Sequence, residues 1–378
     1  MLTFVTTLLA YTATAQTTNE KPADYVLFKN GDKLTGTLVR GVGNDVIFKS
    51  DILGEVTVPM NKIQELFSHG SFVIIKSQER ITRTTKQPGV MTFSDGKVTV
   101  NDLKTGPETI AVKDIGYVID QATYVQEVTS NPGPFQRWKG SLTGGLSVLQ
   151  ATSYGQTFNA GVNLIRAIPT VPYLPPRTRT TFNLLQTYGK LTQPVIPQTV
   201  PPSPDSIAKT NIFHSDFEHD KYVSGRFYVL GNIIYDHNYA QGLDLAQLYG
   251  VGVGYTVIKT AIQQLDFKGD IHYQRQNFTQ YPPPAISTPN QDLIGSTFAE
   301  AYKRTLPGRI ALTQSVDYIQ SWNNLHAYSA AASLGIVFPV YRRFGFNLNL
   351  LNTYLNNPAF GYQKNSLQFL TGVTYTLP

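Results

Sequence analysis

The chain has 378 residues, a formal charge of +6, only 15% charged residues, 22 Tyr, 20 Phe and no Cys. That composition excludes a disulfide scaffold and thiol chemistry. Its 31 Lys and Arg are dispersed, which argues against a nucleic-acid surface and fits a basic protein at an anionic membrane better.

The start, Met1 to Ala15, is short and apolar (Leu2, Phe4, Val5, Leu8, Leu9, Ala10) and closes on Ala13-Thr14-Ala15. A small-residue pattern of this kind is a cleavage site, so residues 1–15 are expected to be a signal peptide, with Gln16 opening the mature chain. No later run reaches the roughly 18 apolar residues of a spanning helix.

Residues 24–120 carry a compact β pattern. Val26, Phe28, Leu34 and Leu38 flank the turn Asn30-Gly31-Asp32; Val46 to Lys49 and Glu55 to Pro59 read as further strands, and Lys62-Ile63 closes the unit. The pattern then recurs. Val73-Ile74-Ile75-Lys76 echoes Val26-Leu27-Phe28-Lys29, Thr109 to Ile115 echoes Thr57 to Ile63, and Ser94-Asp95-Gly96 supplies another hairpin turn. The expectation is one or two small SH3-like or Sm-like β-barrels in tandem, each near the lower size limit for its own core. RNA binding, which some Sm-like units perform, is not expected, because acids interleave with the bases.

Residues 121–136 read as a linker, since Ser130-Asn131-Pro132-Gly133-Pro134 interrupts any ladder. From Trp138 onward the side chains alternate apolar and polar with period two, the signature of strands with two unlike faces. The clearest hairpin spans Leu243 to Phe278. In its first arm Leu245, Tyr249, Val251, Val253, Tyr255 and Val257 alternate with Gly250, Gly252, Gly254 and Thr256; in its second, Leu265, Phe267, Ile271 and Tyr273 alternate with Asp266, Lys268, Asp270 and His272. Arms longer than ten residues, apolar on one side only, suit a transmembrane barrel better than a soluble sandwich. Counting such segments over residues 137–378 predicts an antiparallel barrel of about twelve strands. The segments near Arg179 to Leu191 and Leu293 to Lys303 are the least clearly patterned.

The connections alternate in length. Thr192 to Lys209, His237 to Gly242, Asn277 to Gln291 and Asn356 to Gln363 are long or polar; Tyr222 to Gly225, Lys259 to Ile262, Thr305 to Gly308 and Val340 to Arg343 are tight. Outer-membrane barrels have long outer loops and short periplasmic turns, which predicts an N-terminal domain in the periplasm. Ala167 to Arg177 and Ala151 to Ser153 break that rule. Two long loops are proline-rich (Pro194, Pro197, Pro201, Pro202, Pro204; Pro282, Pro283, Pro284), which discourages edge pairing.

The opening Val26 to Gly36, together with Glu55-Val56-Thr57-Val58-Pro59 and Lys62-Ile63, resembles the start of the exported salt-induced outer-membrane proteins of the YdiY-like kind. The order of parts is similar too: signal, small β unit, then a barrel beginning near Trp138-Lys139-Gly140. The resemblance implies an outer-membrane β-barrel with no established activity. The chain departs from many such barrels in ending Tyr375-Thr376-Leu377-Pro378 rather than on an aromatic residue.

The lumen face is expected to carry a polar cluster of His214, Asp216, Glu218, Asp236, Asp266, Lys268, Asp270 and His272. Asp270 and His272 lie two apart on one strand face, and with Asp216 they could activate water as the His–Asp couple of omptin proteases does. A phospholipase would need an outward Ser–His pair, for which only Ser215 with His219, or His326 at a rim, is available. His214, Asp216, Glu218 and Asp220 could touch a cation, but no closed metal spacing exists, and Gly250 to Gly254 is not a nucleotide loop because no helix follows. Trp138, Tyr235, Tyr255, Tyr273, Trp322 and Tyr354 are expected at the membrane interfaces. The sequence therefore predicts a structural or narrow-pore barrel of a Gram-negative outer membrane, with no cofactor and no enzymatic activity. Its expected partners are outer-membrane lipid, the barrel-assembly machinery and a periplasmic protein. The alternatives are a barrel hydrolase and an adaptor acting through the N-terminal units.

Overall fold

The computed structural model describes residues 23–79, 81, 86–102, 106–150, 154–193, 206–280 and 288–377. The expected signal peptide, the short connection 151–153 and the prolines of both long loops lie outside them. The described chain divides into two compact units at Ser130/Asn131.

The first unit is one nine-stranded sheet: β1 (Asp24–Phe28), β2 (Lys33–Val42), β3 (Asp45–Ser50), β4 (Gly54–Pro59), β5 (Ile63–Lys76), β6 (Gly89–Ser94), β7 (Lys97–Asp102), β8 (Gly106–Ala111) and β9 (Ile115–Asp120). The sequence repeat is real. Each half ends in a strand, a 3-10 turn (Met60–Lys62 or Val112–Asp114) and a further strand. Yet the halves do not close into two barrels. The 14-residue β5 serves both, its first part pairing with β1 and β6 and its second part with β6 and β9. β9, from the second half, pairs back onto β2 of the first. One ring of four strands, β1-β2-β9-β5, results. The physical reason is core size. Val26, Leu38, Phe48, Met60 and Leu66 from one repeat share a single buried cluster with Phe72, Met91, Phe93, Val98 and Val118 from the other, where two separate cores would each be marginal. Buried Asp24 ties the sheet together: it accepts from Leu38 N (2.9 Å), Ser68 Oγ (2.6 Å) and His69 N (2.8 Å).

The segment expected as a linker is helical over 121–129, capped by Asp120 accepting from Thr123 N at 2.9 Å. Tyr124 and Val128 are buried, and the Tyr124 hydroxyl accepts from Lys86 N. It belongs to the first unit, and a period-two reading cannot register a two-turn helix.

The second unit is a closed barrel of twelve antiparallel strands: β10 (Lys139–Gln150), β11 (Tyr154–Ile168), β12 (Thr178–Gln193), β13 (Ser206–Tyr222), β14 (Phe227–Asn238), β15 (Leu243–Lys259), β16 (Gln263–Phe278), β17 (Gln291–Leu306), β18 (Ile310–Ser321), β19 (Tyr328–Tyr341), β20 (Phe344–Leu355) and β21 (Asn365–Thr376). Pairing of Ser141 with Thr376 through Gly144 with Val373 closes the ring. Closure leaves no strand edge unpaired. The end of the barrel that holds Lys139 and Thr376 is called the near end, and the opposite one the far end.

Candidate functional site: the barrel lumen

Alternation sorts the barrel side chains into two sets. Leu142, Leu146, Phe158, Phe217, Val229, Ile233, Val251, Val253, Phe267, Ile271, Phe298, Val316, Leu334, Phe346, Leu350 and Phe369 all stand exposed on the outside. Water penalises such a continuous apolar band, and hydrocarbon does not. Aromatic residues edge it. Toward the far end, Tyr235 and Tyr249 share a hydroxyl hydrogen bond of 3.0 Å, Tyr273 donates to Asp292 at 2.6 Å, Tyr354 stacks on Tyr328, and Trp322 is 52% exposed. Toward the near end, Tyr255 pairs with Phe227, Phe344 packs on Tyr375, and Trp138 donates its indole N–H to Pro134 O at 2.8 Å. Among the described residues no helix is long and apolar enough to cross a membrane, which says nothing about strands.

The other set faces the lumen, and every residue of the expected polar cluster is in it. Arg179, on the strand whose register the sequence left ambiguous, organises the near half. It donates Nε to Asp220 Oδ2 and Nη1 to Asp266 Oδ2, both at 2.6 Å, and its guanidinium lies 5.0 Å from the Tyr228 ring centre. β12 and β16 are four strands apart, so this contact reaches through the interior. One step deeper, Lys268 Nζ on β16 donates to both Glu218 oxygens on β13 at 2.8 Å. The far half continues the pattern. Asn183 donates to both Asp216 oxygens, His214 Nδ1 lies 2.6 Å from Asp236 Oδ1, and Asn232 donates to Asp270 at 3.0 Å.

Glycines make room for these groups. A Cβ at Gly254 would overlap the Tyr228 ring, and one at Gly250 would overlap the Asn232 amide. The stretch Gly250 to Gly254 therefore accommodates bulky lumen side chains on the neighbouring strand. Around the rest of the ring, β10, β11 and β17 to β21 present mostly small or neutral lumen groups, Thr143, Asn159, Thr297, Ser315, Ser333, Asn349 and Thr374, interrupted by Asp317 on β18 and, toward the near end, Lys139 and Lys303. The lumen charge is thus concentrated on the β12 to β16 wall and sparse on the other.

The structure brings Asp270 and His272 together, with His272 Nδ1 2.8 Å from Asp270 Oδ1 and Thr297 N also donating to that oxygen. Both side chains are enclosed, at 0% and 4% exposure, and His272 Nε2 has no hydrogen-bond partner among the described residues. Asp216 and Glu218 are bonded elsewhere, to Asn183 and Lys268. On the outer face His219 Nδ1 lies 2.8 Å from Thr180 Oγ1, and Ser215 makes no side-chain bond to it. No three His, Cys, Asp or Glu side chains among the described residues converge closely enough to hold a metal ion.

Sequence reasoning missed Arg179 and the far-end connection Tyr239–Gln241. A lone Arg within two residues of the start of a strand, facing an acid-rich neighbour, could have revealed the first; nothing local marks the second.

Residues 145–377 match the family described as "Protein of unknown function, DUF481". No curated protein matches the chain. Among solved structures it is similar to the translocator domain of the autotransporter NalP from Neisseria meningitidis (12% identity, 63% of this chain and 87% of that chain, TM-score 0.32). It is also similar to an outer membrane channel from Pseudomonas putida F1 (10%, 66% and 100%, TM-score 0.34) and to the outer membrane channel DcaP of Acinetobacter baumannii (12%, 94% and 94%, TM-score 0.25). At these scores the likenesses add nothing to what the strand pairing establishes.

Proposed function

Because the chain belongs to the DUF481 family, whose description assigns no role, we propose a function from the barrel itself: a narrow, cation-preferring pore of a Gram-negative outer membrane. The observation that carries this reading is the division of the barrel into an apolar outer face, edged by aromatics, and a charged lumen. Lipid accepts the first and water or ions need the second. The tight connections at the near end (Tyr222 to Gly225, Lys259 to Ile262, Val340 to Arg343) support placing that end, and the first unit, in the periplasm.

Charge sign supports the ion class. The chain is basic overall, but the lumen face holds the acids Asp216, Glu218, Asp220, Asp236, Asp266, Asp270 and Asp317 against Arg179, Lys268 and, toward the near end, Lys139, Lys259 and Lys303. Rings of carboxylates select cations. A twelve-strand lumen crossed by Arg179 and Lys268 is far narrower than an open porin. In planar bilayers under a KCl gradient, the expected result is small unitary currents with a reversal potential of cation-selective sign. Anion selectivity, or porin-sized currents, would overturn the proposal.

Two further readings have specific observations behind them. The Asp270–His272 hydrogen bond fits a barrel hydrolase, but an enclosed couple cannot meet a substrate, so we assign it a structural role. Peptide or ester hydrolysis that disappears in His272→Ala would contradict that assignment. An adaptor role is favoured by a cavity of about 510 Å³ in the first unit, lined by Lys29, Asn44, Met60, Phe93 and Lys113. Capture of a periplasmic protein by the whole chain, lost in Lys29→Glu/Lys113→Glu, would support it, and capture unchanged in that variant would exclude this cavity.

A further inference from the structure

The far end of the barrel is bridged. Twelve strands in a ring put β14 opposite β20, and β15 nearly so. The connection between β14 and β15 is a single 3-10 turn, Tyr239–Gln241, followed by Gly242 at φ +66. It does not stay on its own wall. Gln241 is buried, and Asn238 Nδ2 donates to its Oε1 at 2.8 Å, which turns its Nε2 toward the far wall. That Nε2 donates to Lys364 O at 2.7 Å and to Thr353 O at 3.3 Å, on either side of the β20–β21 connection. In return Ala359 N donates to Gln241 O at 3.1 Å. The two connections meet so closely that a Cβ at Gly242 would overlap the Ala359 methyl.

Beneath this junction lies an apolar plug. Leu243, Ala246 and Phe278 from one wall pack with Leu355 and Ala359 from the other, against Tyr362. The five buried members are at most 6% exposed. Ala246 stands on the lumen side of β15, two turns of the pleat above Gly250, and Leu355 continues the lumen side of β20. An apolar constriction in a polar passage excludes water and ions while it remains shut.

We propose that the Gln241–Gly242 strap and the β20–β21 connection form the gate of this pore, shut in the present structure and opened when the strap parts from Ala359 and Lys364. The strap is suited to release. Its attachment is a few backbone-directed hydrogen bonds and a small apolar cluster rather than a paired strand, so it can part while the barrel ladder stays intact. Gly242 supplies the left-handed turn and the close approach without which the strap could not reach.

This inference rests on the pore reading, and the test separates the two. The chain has no cysteine, so Gln241→Cys/Ala359→Cys introduces one disulfide and no competing thiol chemistry. The full-length double variant is reconstituted into planar bilayers and recorded oxidised, then after reduction, beside the parent and Gln241→Ala. The oxidised form is expected to stay shut and the reduced form to regain openings. Gln241→Ala is expected to open about tenfold more often than the parent, as loss of the two side-chain hydrogen bonds to the opposite wall implies. Equal currents from the oxidised, reduced and Gln241→Ala proteins would overturn the gate and leave the pore standing. Absence of current in every variant, with each migrating as a folded barrel in unheated gels, would overturn the pore and the gate with it.

Discussion

At the scale of single residues, the lumen is arranged by complementary size and charge. Tyr228 occupies space that only Gly254 leaves open on the adjacent strand, while Gly144 has no atom within 4 Å of where its Cβ would lie. Gly254→Val should therefore destabilise the barrel by about 1–3 kcal/mol through overpacking, whereas Gly144→Val should be neutral. Urea unfolding midpoints in lipid vesicles would show this, and equal midpoints would mean that the glycine stripe has no packing role. The same residues show what could be read from the chain alone. Alternation put Asp266, Lys268, Asp270 and His272 on the lumen side because a strand face depends on parity alone. It could not show that Lys268 pairs with Glu218, or Arg179 with Asp220 and Asp266, because those contacts depend on which strands oppose each other through the interior.

At the scale of elements, most of the barrel strands were legible one by one, since each carries its own two-faced pattern and its own turn; β12 and β17, near Arg179 to Leu191 and Leu293 to Lys303, were the least clearly patterned. The first unit was legible only in part. Its repeat is visible in Val73 to Lys76 and Thr109 to Ile115, but the sharing of β5 and the return of β9 to β2 are tertiary facts with no local signal. That sharing has a consequence. Residues 24–76 alone should fail to fold, because their half of the core is completed by Met91, Phe93, Val98 and Val118 from the second repeat, whereas residues 23–130 should fold. Backbone amide dispersion in NMR spectra of the two fragments would check this; a dispersed spectrum from 24–76 would show that the repeats are independent. The far-end strap was invisible for a related reason. The stretch Asn238 to Gly242 reads as an ordinary hairpin loop, and its reach to the opposite wall follows only from closure of the ring.

At the scale of the whole molecule, the account depends on what surrounds the exposed apolar belt. Phe298 stands outward in the middle of that belt at 63% exposure, and Ser333 stands on the lumen side, bonded to Ser315 at 2.8 Å. Replacing Trp138 and Trp322 by Phe and placing one Trp at either position would give two reporters on one barrel. In vesicles of lipids brominated along the acyl chains, the Trp at 298 should be strongly quenched and the Trp at 333 spared. Equal quenching at both positions, or a folded monomer that remains in plain buffer and leaves both reporters unquenched, would contradict a barrel that crosses lipid.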